Sequence, residues 1–146
     1  MAANTAPIYT ALGDIQWGAT DGNGGAAGPL KTANTAKDGT GTVLTVFTAD
    51  ATNGGYVQRA RFRAVGTNEA TVARIFINNG SANSTIANNV LFEEITLTAT
   101  TLSEVAALAI YEVPLNFALP VGYKLNVTIG TTVSAGYSVS VIGGKY

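Results

Sequence analysis

Arg59, Arg61 and Arg63 stand at alternate positions in the run YVQRARFRAV, and that spacing turns three charges into one surface. Residues two apart share a strand face, so the guanidinium groups form a row about 13 Å long. Three uses compete for such a row: a solvated face that discourages edge-to-edge pairing, a dock for an acidic protein surface, or a track for nucleic acid. Arginine pairs bidentately with carboxylates where lysine does not, which favours docking. Nucleic acid fits poorly, because the net charge is −1 and no aromatic ring interleaves on the arginine face. A second group, Ile8, Tyr9, Leu12, Ile15 and Trp17, puts more apolar surface near the N-terminus than a mere tail needs. It reads either as a strand or strap over the domain's own core, or as anchors on a neighbouring subunit, where Trp and Tyr are favoured.

The carboxylates offer little chemistry. Glu93 and Glu94 are adjacent, so in a strand they point to opposite faces and cannot jointly flank one scissile bond. Glu93 shares its expected face with Leu91 and Ile95, which reads as a salt bridge to an arginine such as Arg74 or as an edge position. Asp21-Gly22-Asn23-Gly24 starts like a calcium loop but lacks the further acidic ligands and closing Glu. The glycines there and in Gly39-Thr40-Gly41 spell no phosphate-binding fingerprint. With no His and no Cys, the usual nucleophile–base pairs and zinc ligand sets are excluded. The chain is therefore expected not to be an enzyme, and to carry no cofactor and no metal.

The elements that must position these residues are strands. From residue 42 onward, β-branched and aromatic residues recur in short runs divided by turn residues. Val46 and Phe47 lie in the first run, which ends at Asn53-Gly54-Gly55. The arginine strand follows, with Ala60, Phe62 and Ala64 on its other face. Further runs cover residues 71–78, 90–100 and 108–119, the last holding Pro114, which marks an edge, a bulge or a break. Tyr123, Leu125, Val127 and Ile129 alternate with Lys124, Asn126 and Thr128, the clearest period-two signal in the chain. Residues 137–142 close the series. Only residues 102–108 could form a brief helical turn. The expected fold is all-β: an antiparallel two-sheet β-sandwich, jelly-roll-like, with about seven or eight strands over 42–146. Residues 1–41, rich in Ala, Gly, Asn and Thr, are expected to be an extended N-terminal arm.

Composition agrees with one folded domain. The 146 residues are 47% hydrophobic and only 12% charged, enough to bury roughly two thirds of the unfolded surface in one core and unlike the balance of disordered chains. The near-neutral charge supplies no general attraction to nucleic acid or anionic membrane. No apolar run is long enough to span a bilayer as a helix, and residues 1–10 lack the features of a secretory signal.

Four stretches, residues 32–49 (TANTAKDGTGTVLTVFTA), 74–80 (RIFINNG), 122–131 (GYKLNVTIGT) and 140–146 (SVIGGKY), resemble a family of small tailed-phage virion proteins. The chain is similar, from about Asn34 to its end, to the jelly-roll cement or decoration proteins of bacteriophage capsids. That resemblance implies a structural virion protein, made in the host bacterial cytoplasm. It would bind the outer capsid surface and bridge major capsid protein subunits, as a homodimer or homotrimer, with no nucleic acid or membrane partner. The alternative is a carbohydrate- or host-receptor-binding sandwich module of a tail or head fibre, with Tyr56, Tyr111 and Tyr137 as possible aromatic platforms.

Overall fold

The computed structural model describes residues 12–17 and 28–146. Eight strands run β1 (Leu12–Trp17), β2 (Leu44–Thr48), β3 (Gly55–Ala64), β4 (Thr71–Asn78), β5 (Asn89–Leu97), β6 (Ile110–Leu119), β7 (Lys124–Ile129) and β8 (Tyr137–Lys145). They form two four-stranded antiparallel sheets, ordered β1-β8-β3-β6 (sheet A) and β2-β7-β4-β5 (sheet B). First pairs with eighth, second with seventh, third with sixth and fourth with fifth, the connectivity of a long hairpin rolled into a jelly roll. No helix long and apolar enough to cross a membrane occurs among the described residues.

Alternation builds the interior. Ala60, Phe62 and Ala64 from β3, with Val139 and Val141 from β8, face Ile75, Val127 and Ile129 from sheet B. Phe47, Phe62 and Tyr137 are fully buried, and rings of that size dominate the apolar area removed from water. The Gly54 turn works because its φ of 79° is left-handed and because a Cβ there would stand 2.6 Å from the Leu119 carbonyl. Only glycine meets both conditions.

Three expectations change. Leu12–Trp17, inside the stretch read as an arm, is a strand of the sandwich, in register with β8 from Leu12↔Lys145 to Trp17↔Ser140. Ordinary β pairing absorbs it because its odd and even positions have different burial: Gln16 is buried while Ile15 and Trp17 are exposed. Second, residues 102–108 form bends and not a helical turn; the one described helical turn is a 3₁₀ turn at Ile86–Asn88, in the connection between β4 and β5.

Third, the polar alternates of β7 do not face solvent. Asn126 and Thr128 are 2% and 1% exposed, because residues 31–43 cross the outer face of sheet B as a strap. The strap is pinned by the Asn34 N–H to the Ile129 carbonyl at 2.7 Å and by Asn83 Nδ2 to the Gly39 and Gly41 carbonyls at 3.2 and 2.8 Å. Gly39 lies so close over Asn89 and Phe76 that a Cβ would collide with the Asn89 Cβ at 2.7 Å and crowd the Phe76 ring at 3.1 Å. That cover explains why Phe76, outside the main core cluster, is nevertheless fully buried.

Candidate functional site

The arginine row and the N-terminal apolar residues, 42 or more positions apart in sequence, share one sheet face. Across sheet A, Trp17 stands beside Ser140, Ser140 beside Arg61, and Arg61 beside Glu112. The next row runs Ile15, Ile142, Arg59, Pro114. Strands are about 4.8 Å apart, so Trp17 and Arg61 are separated by about 10 Å at their Cα atoms. Ile15 and Trp17 are 54% and 52% exposed, bare apolar surface beside the arginines, with Ile110 exposed next to Arg63 on the same face.

Only part of the arginine charge is neutralised. Arg61 meets Glu112 at 3.7 Å with both side chains near half exposure, a pair worth little in stability. Arg59 and Arg63 make no ion pair among the described residues. The Nε atoms of Arg59 and Arg61 are sealed from solvent without a hydrogen bond, so a partner must meet these guanidinium groups at their Nη ends. Beside Arg59 a notch of about 260 Å³ is lined by Gln58, Glu112, Pro114 and Asn116. Asn116 helps shape it with φ of 55°, a left-handed conformation that Asn tolerates better than most residues.

Of the sequence candidates, Ile15, Trp17, Arg59, Arg61 and Arg63 thus converge on one face. Leu12 is placed at the end of β1 opposite Lys145. Ile8 and Tyr9 lie outside the described residues, as does the Asp21-Gly22-Asn23-Gly24 turn. Among the described residues no group of three or more His, Cys, Asp or Glu could hold a metal. Of the tyrosines weighed as an aromatic platform, Tyr137 is fully buried, while the Tyr111 hydroxyl is hydrogen-bonded to Thr98 at 2.7 Å and the Tyr56 hydroxyl to Asn116 at 3.3 Å.

Sheet B has a different exposed region. β5 is an edge strand with a bulge between Leu91 and Glu93. The bulge puts Leu91 and Glu93 on opposite faces, against the expectation that they share one. Arg74 pairs with Glu94 at 2.9 Å, leaving Glu93 at the open edge. Val90, Leu91 and Phe92 are exposed along that edge, with Leu102 and an almost bare Val105 in the β5–β6 connection. A T-shaped contact between Phe92 and Phe117, centroids 4.8 Å apart, bridges the two sheets there. Periodicity could not find this strip, because its apolar residues come from two edges and a loop.

Comparison of the chain with protein-family models, curated proteins and solved structures found no match. The molecule is an all-β protein, a two-sheet sandwich of jelly-roll connectivity, whose role must be argued from its surfaces.

Proposed function

We propose that this chain is a structural, non-catalytic virion protein that binds the outer surface of a tailed-phage capsid and stabilises it by bridging major capsid protein subunits. The observation that carries the reading is the union of Ile15 and Trp17 with Arg59 and Arg61 in shared rows of one exposed face. Exposed Trp flanked by arginine is the composition of a protein-binding hot spot, and unpaired arginines supply the steering toward an acidic partner. The resemblance read in residues 32–49 and 122–131 is the reason for proposing a capsid as that partner. No general electrostatic attraction to nucleic acid accompanies it, and a protein surface needs no cofactor to be held.

Binding of this kind gains from multivalency, since several modest interfaces engaged together hold far longer than one. The apolar strip of Val90, Leu91 and Phe92 on β5 is the surface through which copies associate as a homodimer or homotrimer. Leu91→Glu should return the protein to monomer mass in light scattering; an unchanged mass would remove the strip from the interface.

The capsid reading is tested by co-sedimentation with purified shells. Removing residues 2–30 would be a poor test, because it also removes β1. Trp17→Ala changes an exposed position, where stability shifts are typically within about 0.5 kcal/mol, whereas Arg61→Glu changes a half-buried one beside Glu112, so its thermal unfolding is measured alongside its binding. Each should weaken shell binding at least about tenfold, the effect of some 1.4 kcal/mol at a hot spot. Wild-type binding by both folded variants would overturn the proposal.

A further inference from the structure

We propose that a polar pocket on the outer face of sheet B binds a monosaccharide-sized sugar acid, independently of the Trp17–Arg61 face. The pocket holds about 350 Å³, within the roughly 300–1,000 Å³ of small-ligand sites. Its floor consists of outward side chains from three neighbouring strands: Thr45 on β2, Lys124 and Asn126 on β7, and Asn78 on β4. Its rims are the end of the strap at residues 41–43 and the β4–β5 connection at residues 81–83.

The rims are fixed in advance. Asn83 Nδ2 ties one to the other through the Gly39 and Gly41 carbonyls, and Asn34 Nδ2 braces the strap through the Thr40 and Thr42 carbonyls at 2.8 and 2.7 Å. A site held open by its own hydrogen bonds loses little on ordering when a ligand arrives.

Asn126 gives the pocket a free donor at its floor. It is 98% buried, yet it makes one side-chain hydrogen bond, from the Thr45 hydroxyl to its Oδ1 at 2.8 Å. Turning the amide end for end would not help, because Thr45 can satisfy only one end in either orientation. The Asn126 Nδ2 donates to no group among the described residues and is not one of the side-chain atoms sealed from solvent without a partner, so it opens into the pocket as a free donor.

The remaining chemistry defines the ligand. Lys124 lines the same pocket with no carboxylate partner among the described residues, and no carboxylate lines the site. The hydroxyl-bearing Thr42 and Ser81 complete a donor-rich wall. One cation, an amide donor and hydroxyls suit a ligand with one carboxylate and several hydroxyl groups. No aromatic ring lines the site, so a neutral sugar would lack the stacking that usually holds it. The charge is the anchor.

The full chain, labelled with ¹⁵N, is titrated with glucuronate and, separately, with glucose and inorganic phosphate. Glucuronate should shift the Asn126 side-chain amide and the Gly41 and Ser81 backbone resonances, saturating with a Kd on the order of 1 mM. Glucose and phosphate should each bind at least tenfold more weakly. Lys124→Gln should weaken glucuronate at least tenfold while keeping the wild-type spectrum elsewhere. Absence of shifts with glucuronate on the wild-type chain, equal binding of glucose or phosphate, or full binding by a folded Lys124→Gln would each overturn the proposal.

Discussion

Asn68 shows how much one side chain can organise in this molecule. It is 3% exposed, and its Oδ1 accepts the N–H groups of Ala135 and Gly136 at 2.9 and 2.6 Å while its Nδ2 donates to the Gly136 and Gly66 carbonyls at 3.0 and 3.3 Å. It serves as the ladder between two connections that have no strand between them. Asn68→Ala strands several of these groups at about 1–3 kcal/mol each. The expected loss is roughly 3 kcal/mol in urea unfolding with an unchanged m-value; a loss below about 1 kcal/mol would mean that water takes over the bonds. Nothing local marks this residue. It stands in Gly66-Thr67-Asn68-Glu69, which reads as an ordinary turn, whereas the arginine row was legible because alternation alone puts Arg59, Arg61 and Arg63 on one face.

Among the elements, β1 is the one for which the sequence left a strand and a free anchor both open, and only its pairing with β8 decided between them. Gln16 turns inward at the sandwich edge, where its Oε1 accepts the Thr48 N–H at 2.8 Å and its Nε2 donates to the Thr48 carbonyl at 3.0 Å. The amide thus imitates one more rung on β2 and closes that edge, a manner of protecting an otherwise open strand. Gln16→Ala should lower stability by about 2 kcal/mol by leaving both Thr48 groups without partners. In hydrogen exchange, Thr48 and β1 should lose protection while β3 keeps it; unchanged exchange at Thr48 would refute the role. The opposite edge has only Phe92 against Phe117, and so keeps its apolar strip. Pro114 read as an edge, bulge or break, and it lies on edge strand β6 opposite Arg59, beside the bulge of β3. The bulge of β5 carries no comparable mark, which is why the face of Leu91 was misread.

At the scale of the whole molecule, the charge distribution fixes the response to pH. Asp38 is held below the ordinary carboxylate value by the Thr40 hydroxyl and N–H, Asp50 by the Asn53 and Thr52 N–H groups, and Glu69 by the Ser134 hydroxyl. Depressed carboxylate values stabilise the fold above the unfolded pKa and cease to do so as pH falls through the folded one. Burial raises the Tyr137 phenol, so its contribution is present at neutral pH and lost as pH climbs past the unfolded value. With no His in the chain, the melting temperature should be nearly flat from about pH 5 to pH 9 and fall on either side. A step near pH 6.5 in a thermal scan would contradict this account.

By itself the sequence determined the two-sheet sandwich and the face on which the arginines stand, because a period of two is a local property of the backbone that any run of eight residues displays. Only the tertiary structure decided that Trp17 joins Arg61, that a strap hides Asn126 and that an edge is left apolar. Those facts depend on which strands become neighbours and on which connection crosses which face, and contacts between residues 40 or 100 positions apart leave no periodic trace along the chain.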